Sequence, residues 1–343
     1  TSPEFCTLMA YTKNFLTAEL NNSDLDTEPF YSALLQSYFP SPMVAQYADV
    51  IEAHPLRRQI VSTIVANSLV NRGGITFFYR AFEETGASVP EVARAYSVAR
   101  EVFDLADYWR AIEDLDNLAP TAAQAALNLE VRRLLDRGTR WFLTTRGGRL
   151  DVAAEIERFR GTVRELAPLV PDMLIGAEAE RMAARADEFV AMGAPPELAS
   201  RVASLLDVFS LLDIAQIAQR QDADPLAVAR TYFMLSEYFG VDRLLSNITD
   251  IDRVDRWNAL ARSAMRSDLY GALAGLTSRV MRGTPAGEDP AARISAWVDA
   301  NAEGQARARA TLQEIAESGP PSLATISVAL RVIRTLVYQG TGD

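Results

Sequence analysis

The sequence predicts an all-α fold: a multi-helix bundle built from two duplicated helical modules, about 56–148 and 193–283, with flanking helices. Three observations lead there. Apolar residues recur at spacings of three and four along most of the chain. Alternating β-branched runs bounded by tight hairpin dipeptides are missing. The phrase VARAY at 92–96 returns as VARTY at 228–232, with the same helix punctuation around it.

Taken in order, Pro29 opens a helix that runs to about Tyr38, and FPSP at 39–42 breaks it, because proline lacks the N–H that a helix interior needs. A long helix is expected from about Leu56, with Ile60, Ile64, Val65 and Leu69 as its buried stripe and Gly73–Gly74 as its stop. A short helix over 75–85 ends at Gly86. Ser88 then caps the next, and Glu91 three residues on completes a capping box for 88–103. Pieces at about 106–115 and 121–146 follow, the second carrying Trp141 and Phe142 and ending at Gly147–Gly148. Asp151 caps one further amphipathic helix, and another runs to Gly193. Asp224 then stands where Ser88 stood, Pro225 takes the first helical position, and Gly240 is the stop.

Laying 87–116 over 223–252 without a gap pairs Ala87, Val92, Ala93, Arg94, Tyr96, Glu101, Phe103, Ile112, Asp114 and Asp116 with identical residues 136 positions on. NSLVN at 67–71 falls on ASLLD at 203–207 at the same offset. An internal duplication of a roughly five-helix unit follows as the expectation. Around it the chain divides into 6–55 as N-terminal helices, 149–192 as connecting helices and 284–343 as C-terminal helices. The opening TSPEF, residues 1–5, resembles a vector-derived addition.

Composition narrows the chemistry. The chain has 343 residues and 49% hydrophobic residues, enough for two or three packed units. No apolar run approaches a membrane span and no signal-peptide pattern is present, so the cytoplasm is the expected compartment. One cysteine, Cys6, excludes an internal disulfide framework, and one histidine, His54, leaves little for a soft-metal site or a histidine triad. A net charge of −11, with basic residues spread among acidic ones, disfavours nucleic acid. Lys13 is the single lysine; every other basic residue is Arg, which stays protonated and does not serve as a base or form a Schiff base.

Several residues invite a functional reading and are weighed against a packing one. Val92, Tyr96, Ala99 and Phe103, repeated as Val228, Tyr232, Leu235 and Phe239, form one helix face, so Tyr96 and Tyr232 read as core with satisfied hydroxyls rather than as ligand-stacking rings. Arg94 and Arg230 lie off that stripe and read as structural partners of neighbouring acids. Asp114/Asp116 and Asp250/Asp252 sit two apart, whereas a carboxylate metal site on a helix wants three or four, so they read as caps of the next helix. Asn67, Asn71 and Arg72 flank the double glycine and read as ties for that turn, with a partner surface as the alternative. No GxGxxG after a strand, GxxxxGK[ST], HExxH, CxxC or GxSxG occurs. The residues alone thus assign no catalytic, cofactor-binding or metal site.

The runs HPLRRQIVSTIVANSLVNRGGITFFYRAFEETGASVPEVARAYSVAREVFDL, EDLDNLAPTAAQ, RRLLDRGTRWFL, DPLAVARTYFMLSEYFGVDRLL and DRWNALARSAMRSDLY resemble the C-terminal region of the large bacterial NAD-specific glutamate dehydrogenases. The likeness covers essentially everything after residue 5. It implies a parent reaction, oxidative deamination of L-glutamate to 2-oxoglutarate and ammonium with reduction of NAD. It also implies that the catalytic lysines, the proton-transferring Asp and the glycine-rich nucleotide turn lie in another part of the parent chain. The implied role is a non-catalytic structural, assembly or regulatory module, without NAD of its own, partnered by the catalytic domain of the same chain and by neighbouring subunits of a homo-oligomer. The alternatives are an effector-binding helical domain whose arginines meet a carboxylate, and an independent helical enzyme with a carboxylate-bound metal.

Overall fold

The computed structural model describes residues 2–146, 149–252, 254–283, 287–317 and 319–338. Among them the regular structure is helical throughout, with no strand. The chain forms two compact units, Thr1–Gly161 and Thr162–Asp343.

Unit 1 comprises α1 (Pro3–Asn21), α2 (Pro29–Ser37), α3 (Ser41–Glu52), α4 (Arg57–Ser68), α5 (Phe77–Thr85), α6 (Val89–Val102), α7 (Leu105–Glu113), α8 (Thr121–Thr145) and the start of α9 (Val152–Leu166). Its centre is α6. Val92, Ala93, Ala95, Tyr96, Val98, Ala99 and Val102 are all buried, which a surface helix with one apolar stripe would not show. The start of α6 is set as its sequence requires: Ser88 donates both its N–H, at 2.7 Å, and its hydroxyl, at 2.6 Å, to the Glu91 carboxylate. Against α6 lies α8, which buries Leu127, Val131, Leu134, Leu135 and Phe142. Gly138 lets the two helices close: a Cβ there would stand 2.8 Å from Phe103 Cε2 and 3.2 Å from Ala99 Cβ. Each such large apolar side chain, fully buried, contributes roughly 1.5–3 kcal/mol of transfer free energy.

The helix expected from Leu56 to the double glycine ends earlier. α4 stops at Ser68, and Leu69–Gly73 form one wider π turn before Gly74 at φ +91°. Only glycine adopts that angle freely. Ile60 and Ile64 are half-buried rather than core; the buried face is Val61, Val65, Ala66, Leu69 and Val70. Val65 and Leu69 are buried as expected, Val61 takes the place of Ile60, and the π turn brings Val70 inward beside Leu69. Gly86, at φ +72°, ends α5 as expected. Asp151 accepts from the Ala154 N–H at 3.0 Å and caps α9. The expected stop at Gly147–Gly148 lies outside the described residues.

Unit 2 contains the end of α9, α10 (Val170–Met173), α11 (Gly176–Ala191), α12 (Pro196–Ala203), α13 (Leu205–Val208), α14 (Leu211–Gln221), α15 (Pro225–Phe239), α16 (Val241–Asp250), α17 (Arg256–Arg282), α18 (Pro290–Ala300), α19 (Ala302–Glu317) and α20 (Leu323–Tyr338). Here α15 is central, packed on α14, α17 and α18. Asp224 accepts from the Leu226 and Ala227 N–H groups, Pro225 opens the helix, and Gly240 at φ +62° closes it. Val228, Tyr232, Leu235 and Phe239 are buried along it, as their spacing predicted.

Candidate functional site

The residues singled out from the sequence scatter through both interiors. Tyr96 shares a 2.6 Å hydrogen bond with Ser68 Oγ and meets Phe77 edge to face at 5.8 Å, so it is a packed and satisfied core residue. Tyr232 is equally buried, but its hydroxyl faces Ser210 without a hydrogen bond of normal geometry; burial, and then the charge of Asp213, push its pKa well above the ordinary tyrosine value. The satisfied hydroxyl expected of both tyrosines is therefore found in Tyr96 only.

The two arginines differ as well. Arg94 is buried in unit 1 and donates through Nε to Glu28 Oε1 and through Nη2 to Asp24 Oδ1, both at 2.7 Å. Arg149 grips the same two carboxylates from outside, at 2.5 Å and 3.0 Å. Burial works against ionisation of Asp24, but the hydrogen bond from Arg94 and the charge of Arg149 outweigh it and hold the carboxyl below its usual range. Arg230 lies exposed on α15.

Neither aspartate pair caps the helix that follows it. Asp114 ends α7, and α8 begins behind Pro120, whose fixed φ starts a helix without a side-chain acceptor. Asp250 ends α16, while Asp255 stands next to Arg256 and accepts the Asn258 N–H at 2.8 Å as the cap of α17. Among the described residues no group of three or more His, Cys, Asp or Glu side chains is placed to hold a metal ion. Arg72 ties the π turn to α7, donating to Glu113 Oε1 at 2.7 Å and lying 4.6 Å over the Trp109 ring. Asn67 is half-buried and Asn71 exposed. His54 uses Nδ1 to accept the Leu56 N–H at 3.1 Å, and Cys6 is an exposed free thiol.

A second electrostatic cluster, around the start of α11, has no signal in the sequence. At the start of α11, Gly176 adopts φ +54°, and a Cβ there would fall 2.0 Å from Glu237 Oε1. That absence of a side chain lets Glu237 reach from α15 and accept the Ala177 N–H at 3.2 Å, supplying α11 with a carboxylate at its positive end. One turn further in, Glu178 is buried and accepts a 2.5 Å hydrogen bond from Ser236. Arg181 donates to Asp242 at 2.5 Å and to Asp207 at 2.7 Å. Burial, reinforced by the charges of Asp207 and Asp242, raises the Glu178 carboxyl to about 8 against the opposing effects of Ser236 and Arg181. These contacts join helices far apart in sequence, and no local spacing announces them.

Fold and interior together define an all-helical module braced by buried arginine–carboxylate clamps. The chain belongs to a family described as glutamate dehydrogenase, C-terminal, whose model matches residues 1–335. It is 39% identical over 336 residues to an NAD-specific glutamate dehydrogenase of Mycobacterium tuberculosis, covering 98% of this chain and 21% of that protein. Proteins of the same description from Halomonas elongata and Pseudomonas aeruginosa are each 33% identical over 99% of the chain. The chain thus spans about a fifth (21%) of the length of these relatives. Among the described residues no helix is long and apolar enough to cross a membrane.

Proposed function

We propose that this chain is a non-catalytic structural segment of an NAD-specific glutamate dehydrogenase, one that packs on the catalytic part of the same polypeptide and supports a cytoplasmic homo-oligomer. The parent reaction is the conversion of L-glutamate, NAD and water to 2-oxoglutarate, ammonium and NADH. The observation that carries the reading is α1. Its inner face buries Leu16 and Leu20, yet its outer face leaves Leu8 55%, Tyr11 70% and Phe15 50% exposed. Phe15 meets Phe78 of α5 at 5.9 Å and Phe78 stacks on Phe82 at 5.9 Å, which extends the apolar surface sideways. A helix apolar on both faces belongs between two packed layers, and α1 has one of them. The relatives' remaining length supplies material for the second.

The test is Leu8→Asp with Tyr11→Asp in the full-length enzyme. Loss of the native assembly, with the melting temperature of the isolated chain unchanged, is the expected result. An intact oligomer of undiminished activity would sink the reading.

A further inference from the structure

We propose that a concave face of unit 2, framed by α15, α16 and α19, binds a small carboxylate. The hollow has a volume of about 440 Å³, within the range that holds small metabolites, and Phe239, Leu244, Leu312 and Ile315 supply its apolar walls. Two guanidinium groups, Arg243 and Arg309, line it. Other arginines are held by carboxylates: Arg94, Arg149, Arg181 and Arg72 each have one within 3.0 Å. Arg243 and Arg309 have none among the described residues. Arg309 is nonetheless placed, 5.1 Å over the ring of Tyr238, a stacking arrangement that leaves its in-plane N–H donors free.

The two acids at the rim do not fill that vacancy. Glu237 is turned toward the start of α11, where it accepts the Ala177 N–H, and Glu317 accepts from the Gln313 amide at 3.0 Å. Asn247 and Gln313 add amide groups to the same lining. Planar guanidinium donors beside apolar walls suit a carboxylate carried on a short carbon skeleton, since the fork of an arginine matches the two oxygens and the walls cover the methylenes. This assignment stands independently of the packing role of α1.

The test is thermal denaturation of this chain in rising succinate at fixed ionic strength, repeated for Arg243→Gln and Arg309→Gln. The expected result is a saturable rise in melting temperature with half-effect below about 10 mM, weakened roughly tenfold or more in each variant. Circular dichroism of the unliganded variants should match the parent chain, since neither arginine has a carboxylate partner among the described residues. Three results would overturn the proposal: no rise with succinate, a rise undiminished in both variants, or stabilisation by inorganic phosphate alone.

Discussion

Ser236 donates a 2.5 Å hydrogen bond to Glu178 across two helices of unit 2, inside a cluster where Asp207 and Asp242 share Arg181. Burial comes first among the causes that raise the carboxyl from 4.5 to about 8, so Glu178 is protonated in the folded chain at neutral pH and ionised in the unfolded one. Stability from this group is therefore complete below about 4.5 and lost as pH rises through about 8. Glu178→Gln keeps an acceptor for Ser236 and removes the titration. Calorimetry should find the variant level with the parent chain near pH 5 and more stable by on the order of 3 kcal/mol near pH 8. Parallel curves for the two proteins would contradict it.

Arg94 and Arg230 are twins in sequence with unlike surroundings. Removing Arg94 leaves the little-exposed Glu28 with Arg149 as its remaining partner, a change that costs about 1–3 kcal/mol. Removing exposed Arg230 should stay within about 0.5 kcal/mol. Urea denaturation of Arg94→Ala and Arg230→Ala measures both, and equal losses would refute the distinction.

That contrast also shows what was legible. Helix starts and stops were readable because Ser88, Glu91, Asp224, Gly86 and Gly240 act on backbone groups within a few residues of themselves. The central stripes of α6 and α15 followed from spacing alone. Side-chain partners did not. Arg94 meets an acid 66 residues away and Glu178 a serine 58 residues away, distances that carry no periodic signal. The repeated glutamates likewise diverge: Glu101 pairs with neighbouring Arg100, while Glu237 caps α11 only because residue 176 is glycine. The π turn at Leu69–Gly73 was hidden because Leu69 and Val70 continue the apolar pattern of an ordinary helix up to the double glycine.

Gly138 and Gly271 provide a paired test of packing against propensity. Helix propensity alone favours alanine over glycine by about 1 kcal/mol and valine over glycine by less. Valine at 138, however, must displace Phe103 and Ala99, the nearer at 2.8 Å, and overpacking of this kind costs about 1–3 kcal/mol. Gly271 on α17 has nothing within 4 Å of a built Cβ, so Gly271→Ala should be neutral or stabilising by up to about 1 kcal/mol. Melting temperatures moving in opposite directions confirm close α6–α8 packing; a stabilising Gly138→Val would refute it.

The last prediction concerns NAD. A dinucleotide cradle of the doubly wound kind needs a strand feeding a tight glycine turn and then a helix, so that backbone N–H groups can meet the pyrophosphate. The described residues contain no strand, and the sequence has no such glycine turn. The resemblance to glutamate dehydrogenases implies catalytic lysines, and Lys13, the single lysine, sits half-buried on α1. Titrating NADH with the isolated chain should therefore give no saturable change in nicotinamide fluorescence. A glutamate-oxidation assay should show no rate above buffer, with a full-length relative as the positive control. Turnover by residues 1–343 alone would place catalytic groups inside this helical module and overturn its assignment as a structural segment.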